Sequence, residues 1–378
     1  EAVWRYGHDA NQRQNFGALL SESDSFVERL FSYDALGRQV SMRTRFLTRG
    51  STSFLQSSTY DEFGRVYQRF DGGPNQSGLR YVYNERGYQT ALREADDPSV
   101  VYQQIIQRDA FGNISAERLG NGLTTTRVYD RRGYLRQLQT LGAGLRVQDL
   151  QMTYDPVGNL TERHDYKSVD SAGYQHEVIR YDALNRLLWV DLQLGSAAPV
   201  RAMSMNYDAG GRILSKEGVG YAYDTALPVH AVKSRGGQSY FYDVNGNQTQ
   251  RDGTGERRTM TYTHFDKPAR VWMGDHREES LYTYNPQRGR LERESWRSGV
   301  LQERYWFLGS LDVVVAKPSA TNPSEIRYEY RRQIDGIAQV QIENGSEALK
   351  YFHYDHLGSV TAISDQSPNI NNTQYSDY

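Results

Sequence analysis

The chain has 378 residues, of which 24% are charged and 12% aromatic, and its formal net charge is −2. A mean hydropathy of −0.75, with no apolar run near the ~20 residues that a membrane helix needs, excludes a helical membrane span. The near-neutral charge disfavours nucleic acid as a partner, and the complete lack of cysteine excludes disulfides, thiolate metal sites and cysteine nucleophiles.

The first 32 residues precede any clear repeat, and we predict that they form a lead-in of further strands. Ser21 to Leu30 is the segment nearest to a helical periodicity. Glu1 stands where an initiator methionine is expected, and no basic-then-apolar leader follows it. The chain is therefore expected to be a cleaved product or an expressed piece of something longer.

From residue 33 onward, a short pattern of Tyr-Asp-x-x-Gly, followed mostly by Arg or Asn, recurs along the chain. Its copies start 21 to 27 residues apart up to Tyr207 and more closely after it, and this period indicates a repeat architecture. We assign the following residues to repeat turns: Tyr33, Asp34, Gly37, Tyr60, Asp61, Gly64, Tyr129, Asp130, Gly133, Tyr154, Asp155, Gly158, Tyr181, Asp182, Tyr207, Asp208, Gly211, Tyr242, Asp243 and Gly246.

Each repeat has the chemistry of a tight turn between two strands. The aspartate can accept a hydrogen bond from the backbone two residues on, and the glycine can adopt the positive φ that other residues resist. Asn185 replaces that glycine in one copy, and asparagine is the next best residue in the left-handed region. The flanking stretches alternate Tyr, Thr, Val and Leu with polar residues, which predicts strands.

The predicted fold class is all-β, with tandem β-hairpins that form a spiral or curved antiparallel sheet. A flat open sheet of this length would expose a long unpaired edge, so we expect the sheet to wind on itself. Only six of the 44 basic residues are lysine, and arginine with abundant tyrosine and aspartate favours stacked and bidentate contacts. The modest apolar content favours a curved single wall with a wet inner face, and residues 71–74 and 316–323 are predicted loops.

The tandem Tyr-Asp-x-x-Gly-Arg units resemble the YD repeats of the RHS family, over residues 33–365. Residues 351–360 are similar to the signature near the end of that family's core, and the residues that carry this likeness are His353, Tyr354, Asp355, His356, Leu357 and Gly358. The resemblance implies a hollow β-shell that encloses a polypeptide, usually a toxic C-terminal domain, in bacterial RHS effectors and Tc toxin C subunits. Teneurins use a similar shell for adhesion outside the cell, and the absence of cysteine favours the bacterial side.

The resemblance also sets what we expect of function. No segment after Asp365 matches the autoproteolytic plug of cargo-bearing relatives, so residues 366–378 are interpreted as a polar tail that ends before such a plug. We expect a secreted bacterial shell without catalysis or cofactor, whose partners are a toxic polypeptide cargo or other shell-forming chains. Two alternatives stay open: an extracellular adhesin that binds a surface glycan through tyrosine and arginine, and a fragment of an aspartyl autoprotease whose plug is missing.

No catalytic or metal site is predicted from the residues, and the binding residues are unknown. His353 and His356 flank Asp355, but they lie in a predicted strand and turn, so their side chains need not face the same way. A structural turn is therefore favoured over a metal site there. The other histidines (His8, His164, His176, His230, His264 and His276) are scattered along the sequence and are expected to be solvated or packed singly.

Overall fold

A computed structural model describes residues 2–7, 17–50, 52–142, 144–166, 174–226, 228–255, 257–274, 276–316, 327–368 and 373–375. Within these ranges the chain forms 33 strands and one short 3-10 helix, Pro74–Gln76. We divide the strands into three arcs, defined by residues 2–154, 160–284 and 290–375.

The first arc comprises β1 (Val3–Tyr6), β2 (Leu19–Ser23), β3 (Val27–Tyr33), β4 (Gln39–Phe46), β5 (Ser53–Tyr60), β6 (Val66–Phe70), β7 (Gly78–Tyr83), β8 (Gln89–Glu94), β9 (Val101–Arg108), β10 (Ile114–Leu119), β11 (Thr124–Tyr129), β12 (Leu135–Gly142) and β13 (Leu145–Tyr154). The middle arc comprises β14 (Leu160–Asp165), β15 (Gln175–Tyr181), β16 (Leu187–Leu194), β17 (Val200–Tyr207), β18 (Ile213–Lys216), β19 (Val219–Tyr223), β20 (Val232–Arg235), β21 (Gln238–Tyr242), β22 (Gln248–Gly253), β23 (Arg258–Tyr262), β24 (Pro268–Met273) and β25 (Glu278–Tyr284). The last arc comprises β26 (Arg290–Arg297), β27 (Val300–Phe307), β28 (Leu311–Ala316), β29 (Arg327–Ile334), β30 (Ala338–Glu343), β31 (Ser346–Tyr354), β32 (Val360–Asp365) and β33 (Gln374–Tyr375).

Every strand pairs antiparallel with the strand that follows it, so the sheet is a continuous series of hairpins. The predicted all-β fold, with tandem hairpins in a curved antiparallel sheet, is thereby confirmed. The weak helical signal over Ser21 to Leu30 was misleading, because Ser21 pairs with Leu30 across β2 and β3. A short polar segment of this kind can match the helical period as well as the strand period, and its pairing with neighbouring strands decides which structure forms.

The two edges of the sheet differ because consecutive strands alternate in direction. The Tyr-Asp-x-x-Gly repeats all lie in connections from an odd strand to the next even strand, and we call this side the turn edge. Connections from an even strand to the next odd strand lie on the opposite side, the loop edge. A register shift accompanies the repeat tyrosine, as where Tyr33 pairs with Gln39, and such a bulge increases the local twist.

Most of the middle arc, from β16 to β24, is a single layer. Strands β16 to β24 contain no buried residue among those that the structure describes. Both faces are therefore open to solvent, and the layer is held by cross-strand contacts instead of an apolar core. Here the prediction of a thin, polar wall agrees with the structure.

The first and last arcs overlap face to face, in a contact that we call the seam. Aromatic and aliphatic side chains fill it, with Phe46 stacked on Trp306 at a centroid distance of 4.6 Å. The buried clusters of the seam join Val27, Phe46, Phe54, Leu79, Leu92, Tyr102 and Leu119 of the first arc to Leu291, Trp306, Leu311, Ile334, Val340 and Tyr351 of the last arc. The prediction of a single wall throughout was therefore wrong in the seam, where the sheet overlaps itself and buries a core.

A buried ion cluster crosses the same seam. Arg332 is 2% exposed, and its guanidinium lies 2.7 Å from Asp71 and 3.2 Å from Glu94. It also donates to the carbonyl of Gly78 at 3.4 Å. Burial alone would lower the pKa of Arg332, but the charge and hydrogen bond of Asp71, together with Glu94, raise it. The arginine thus stays charged between two carboxylates that it pairs.

The predicted lead-in, loops and tail have different positions in the fold. Residues 2–32 contain β1, β2 and most of β3, and residues 71–74 connect β6 to β7 through the start of the 3-10 helix. In the predicted loop 316–323, Ala316 ends β28 and the rest lies outside the described residues. In the tail, Tyr375 pairs with Ala362. No helix of the described residues is long and apolar enough to cross a membrane.

Candidate functional site

The repeat aspartates organise the turn edge by accepting hydrogen bonds from the backbone and side chains of their own turns. The Oδ1 atom of Asp61 accepts from the backbone N–H groups of Phe63 at 3.0 Å and Arg65 at 2.9 Å, and its Oδ2 atom accepts from Arg65 Nε at 2.7 Å. Gly64 closes this turn with φ +80°. The same arrangement, with Arg or Asn as the side-chain donor, is formed at Asp34, Asp155, Asp182 and Asp243.

Two further turns vary this arrangement. Asp208 accepts from the backbone N–H and the Nε atom of Arg212, whereas Asp130 accepts from the backbone of Arg132 and Tyr134 and from the Arg132 side chain. The side-chain hydrogen bond from Arg212, together with the bond from its backbone N–H, lowers the pKa of Asp208. Desolvation acts in the opposite direction and is outweighed. These carboxylates stay ionised and are occupied by the turns that they close.

The repeat tyrosines tie each hairpin to the one before it. The hydroxyl of Tyr207 donates to the carbonyl oxygen of Leu187 at 2.9 Å, at the start of the second strand of the preceding hairpin. The equivalent bond is made by Tyr33, Tyr60, Tyr154, Tyr181, Tyr242 and Tyr354. The tyrosine hydroxyl thus gives this carbonyl a hydrogen-bond partner and braces the edge.

The repeat arginines extend this bracing in the other direction. Arg38 lies over the ring of Tyr60 at 4.4 Å, and Arg186 lies over that of Tyr207 at 4.5 Å. Each arginine is thus held by its own aspartate and stacks on the tyrosine of the next repeat. Where Tyr134 replaces the arginine, it stacks on Tyr154 with a centroid distance of 5.0 Å.

The turn glycines lie at positions that other residues would strain. Gly37, Gly64, Gly133, Gly158, Gly211 and Gly246 all have φ between +76° and +98°. A Cβ atom at Gly158 would also lie 2.3 Å from the hydroxyl of Tyr134. Asn185 adopts φ +59° in the corresponding place, and its amide oxygen accepts from Asn159 of the preceding turn at 2.9 Å.

The signature segment is one more turn of this kind, joined to a buried histidine. Asp355 accepts from the backbone N–H groups of Leu357 at 2.8 Å and Ser359 at 2.9 Å, and Gly358 has φ +83°. Arg163 of the middle arc lies 3.8 Å from Asp355. The signature therefore places the last arc against β14, at the point where the seam ends.

His353 is buried within the seam. It is 3% exposed, and its Nε2 atom lies 2.8 Å from the hydroxyl of Ser364, which in turn accepts from the side-chain amide of Asn121. Burial lowers the pKa of His353 to about 4. A neutral imidazole can accept a hydrogen bond from Ser364, and Ser364 links the two arcs through its bond with Asn121. His356 lies in the adjoining turn.

A cavity of about 330 Å³ lies between the arcs beside His353. Its lining includes Glu117, Arg127 and Tyr129 of the first arc and Tyr354 of the last arc. Glu117 and Arg127 form an ion pair with each other. The repeat tyrosine Tyr129 thus faces this cavity.

Two features of the structure were not predicted from the sequence. First, the apolar residue before the turn glycine, or before Asn185, projects into solvent and is more than 60% exposed at Leu36, Phe63, Phe111, Val157, Leu184 and Leu357. Second, His164 and His176 were wrongly expected to be isolated, because they are direct cross-strand partners. The exposed apolar residues could have been found from the recurring Leu, Phe or Val at the fourth turn position. The pairing of the two histidines could not, because it requires the register of β14 and β15.

We expect that replacing Tyr207 by phenylalanine will destabilise the middle arc by about 1 kcal/mol, because the carbonyl of Leu187 loses its donor. Replacement by leucine should cost about 0.5–1 kcal/mol more through the lost arginine stacking. Hydrogen exchange of β16 to β18 measures this, since a single layer can open locally. Tyr282→Phe is the matched control, because the Tyr282 ring lies under Arg290 but its hydroxyl has no partner within the described ranges; equal effects would contradict the expectation.

Together, the braced turn edge, the single-layer middle arc and the overlapping seam define a curved wall of tandem β-hairpins. Chains in solved structures of Tc toxin complexes share this fold over 97% of the present chain. One, in the Tc holotoxin pore of Photorhabdus luminescens with a mutant TccC3, has a TM-score of 0.80 at 15% identity, with 20% of that chain covered. The crystal structures of TcdB2–TccC3–Cdc42 and TcdB2–TccC3 give TM-scores of 0.80 and 0.77 at 14% identity, with 21% of each matched chain covered.

The chain thus spans about a fifth of the length of the chains that it matches. No protein-family model and no curated protein matches it. At such low identity the likeness shows the fold, and membership of the RHS family stays a prediction.

Proposed function

We propose that this chain is a wall segment of a hollow β-shell that houses or helps to deliver a toxic polypeptide in a secreted bacterial toxin complex. The fold that it shares with chains of the Tc toxin complexes supports this role. The observation that carries the proposal is the middle arc, whose strands β16 to β24 have no buried residue among those described. A sheet with two solvated faces suits a wall between a lumen and the exterior.

The polar character of this wall supports confinement of an unfolded chain. A polypeptide beside a polar, hydrated face keeps its hydrogen bonds to water and finds little apolar surface against which to fold. We propose no catalytic role for the segment, because the repeat aspartates are engaged in hydrogen bonds with their own turns.

Exposed apolar residues at the turn edge favour contact with further shell-forming segments. In the seam, Leu311 at the turn edge of the last arc is fully buried against the first arc. At the turn edge of the first arc, Leu36, Phe63 and Phe111 are exposed. An additional wall segment that covers this row would bury apolar surface and remove it from water.

The tyrosine chemistry does not favour the adhesin alternative. Stacking of sugars needs free aromatic faces, whereas repeat tyrosines such as Tyr60 and Tyr207 lie under arginines and donate to backbone carbonyls. A glycan array tests this alternative directly, and specific binding that is lost on replacing turn tyrosines would revive it.

A protease-protection experiment on the protein in its full natural length tests the proposal. We expect electron microscopy to reveal a hollow particle and the enclosed polypeptide to resist a protease that digests it when free. A seam variant such as Arg332→Met is the matched comparison, because an opened seam should admit the protease. A solid particle, or cargo digested at the rate of free cargo, would overturn the proposed function.

A further inference from the structure

One face of the middle arc, at its first hairpin, brings together three potential metal ligands. In the antiparallel pair β14 and β15, His164 lies directly opposite His176. Glu162 is two residues before His164 and therefore shares its face. One ligand atom from each of the three side chains lies within 4.8 Å of the other two.

The two imidazoles are close neighbours that stack on each other. Their rings are nearly parallel, at 8°, with centroids 4.0 Å apart, and Tyr166 stacks on the outer side of His164 at 5.7 Å. Rotation about the Cβ–Cγ bond has a broad minimum in histidine. The lone pairs lie in the ring planes, so each ring must rotate by roughly some tens of degrees about this bond before both nitrogens point at one ion.

The ring nitrogens have unused bonding capacity. His164 Nδ1 and His176 Nε2 are buried, and neither has a hydrogen-bond partner in the described part of the chain. A buried polar atom without a partner is costly and calls for an explanation such as a bound ion.

We infer that Glu162, His164 and His176 form a binding site for one divalent transition-metal ion of the Zn²⁺ type. Two imidazole nitrogens and one carboxylate oxygen match the donor preference of Zn²⁺ and leave room for water as a further ligand. The ion would clip β14 to β15 on the face opposite to Arg163, which reaches the signature turn. This inference does not depend on the proposed shell function.

Titration of the metal-free full chain with Zn²⁺, followed by isothermal calorimetry and by thermal unfolding, tests the site. We expect one ion per chain and an unfolding temperature that rises with Zn²⁺, because a ligand that binds the folded state stabilises it. Co²⁺ should give the visible absorption bands of a low-coordinate N/O site. If the wild-type chain binds no stoichiometric metal, the inference is wrong.

Three substitutions locate the ion. His164→Gln and His176→Gln should each weaken Zn²⁺ binding at least tenfold and abolish the thermal shift, and Glu162→Gln should weaken binding to a lesser degree. His230→Gln is the matched control, because His230 is exposed and lies outside this cluster. Circular dichroism verifies that each variant is folded, and undiminished binding in both histidine variants would place the ion elsewhere and overturn the assignment.

Discussion

Replacing Arg332 by methionine is expected to destabilise the chain by about 3–5 kcal/mol, the usual cost of removing one partner from a buried ion pair. The guanidinium is 2% exposed and pairs with both Asp71 and Glu94. Without it, two carboxylates remain in the seam with no compensating charge. Urea unfolding followed by tryptophan fluorescence measures the loss, since Trp306 is buried in the same seam.

Arg201→Met is the matched control for this substitution. Arg201 pairs with Asp191, but its side chain is 49% exposed, so its loss should cost less than about 1 kcal/mol. Adding Asp71→Asn to the Arg332 variant should restore part of the stability by removing one unpaired charge. Equal stability of the two arginine variants would show that the ion cluster does not hold the seam.

Acidification is expected to loosen the seam through His353. Its pKa is about 4 in the folded chain and about 6.5 when unfolded, so the unfolded state binds the proton first as the pH falls. The free energy of unfolding should therefore decrease from about pH 6.5 downwards and level off below pH 4. This single group should account for roughly 3 kcal/mol of the loss.

The variant His353→Gln separates this contribution from the carboxylates that titrate in the same range. Glutamine can still accept the hydrogen bond of Ser364 but takes up no proton. We expect its urea-derived stability to change less than that of the wild type between pH 6.5 and 4. Parallel pH profiles for the two proteins would rule out His353 as the responsible group.

Much of the turn edge was readable from the sequence, because it depends on contacts between residues four or fewer apart. Asp61, Gly64 and Arg65 are such a set: the aspartate accepts the turn N–H groups and the arginine, and the glycine takes the positive φ. The partner of Tyr60 was not readable in this way. Its hydroxyl donates to Gln39, 21 residues earlier, and that distance depends on strand register.

The histidines illustrate the same division. His164 and His176 lie on different strands, and the sequence does not show how these strands align. Only the pairing of β14 with β15 makes the two histidines neighbours. His353 was recognised as part of a signature. It lies buried where the arcs overlap, next to Ser364, which bonds to the distant Asn121. Its lowered pKa could therefore not be read from the local segment.

The sequence by itself determined the all-β class, the hairpin repeat and the position of each turn, because these follow from local backbone chemistry. Tertiary structure alone decided where the sheet is one layer and where it is two. Trp306 and Phe46 become a stacked pair only when the curvature accumulated over the intervening hairpins brings the last arc onto the first. Curvature of that kind is the sum of many small twists, and this total cannot be predicted from any short segment of the chain.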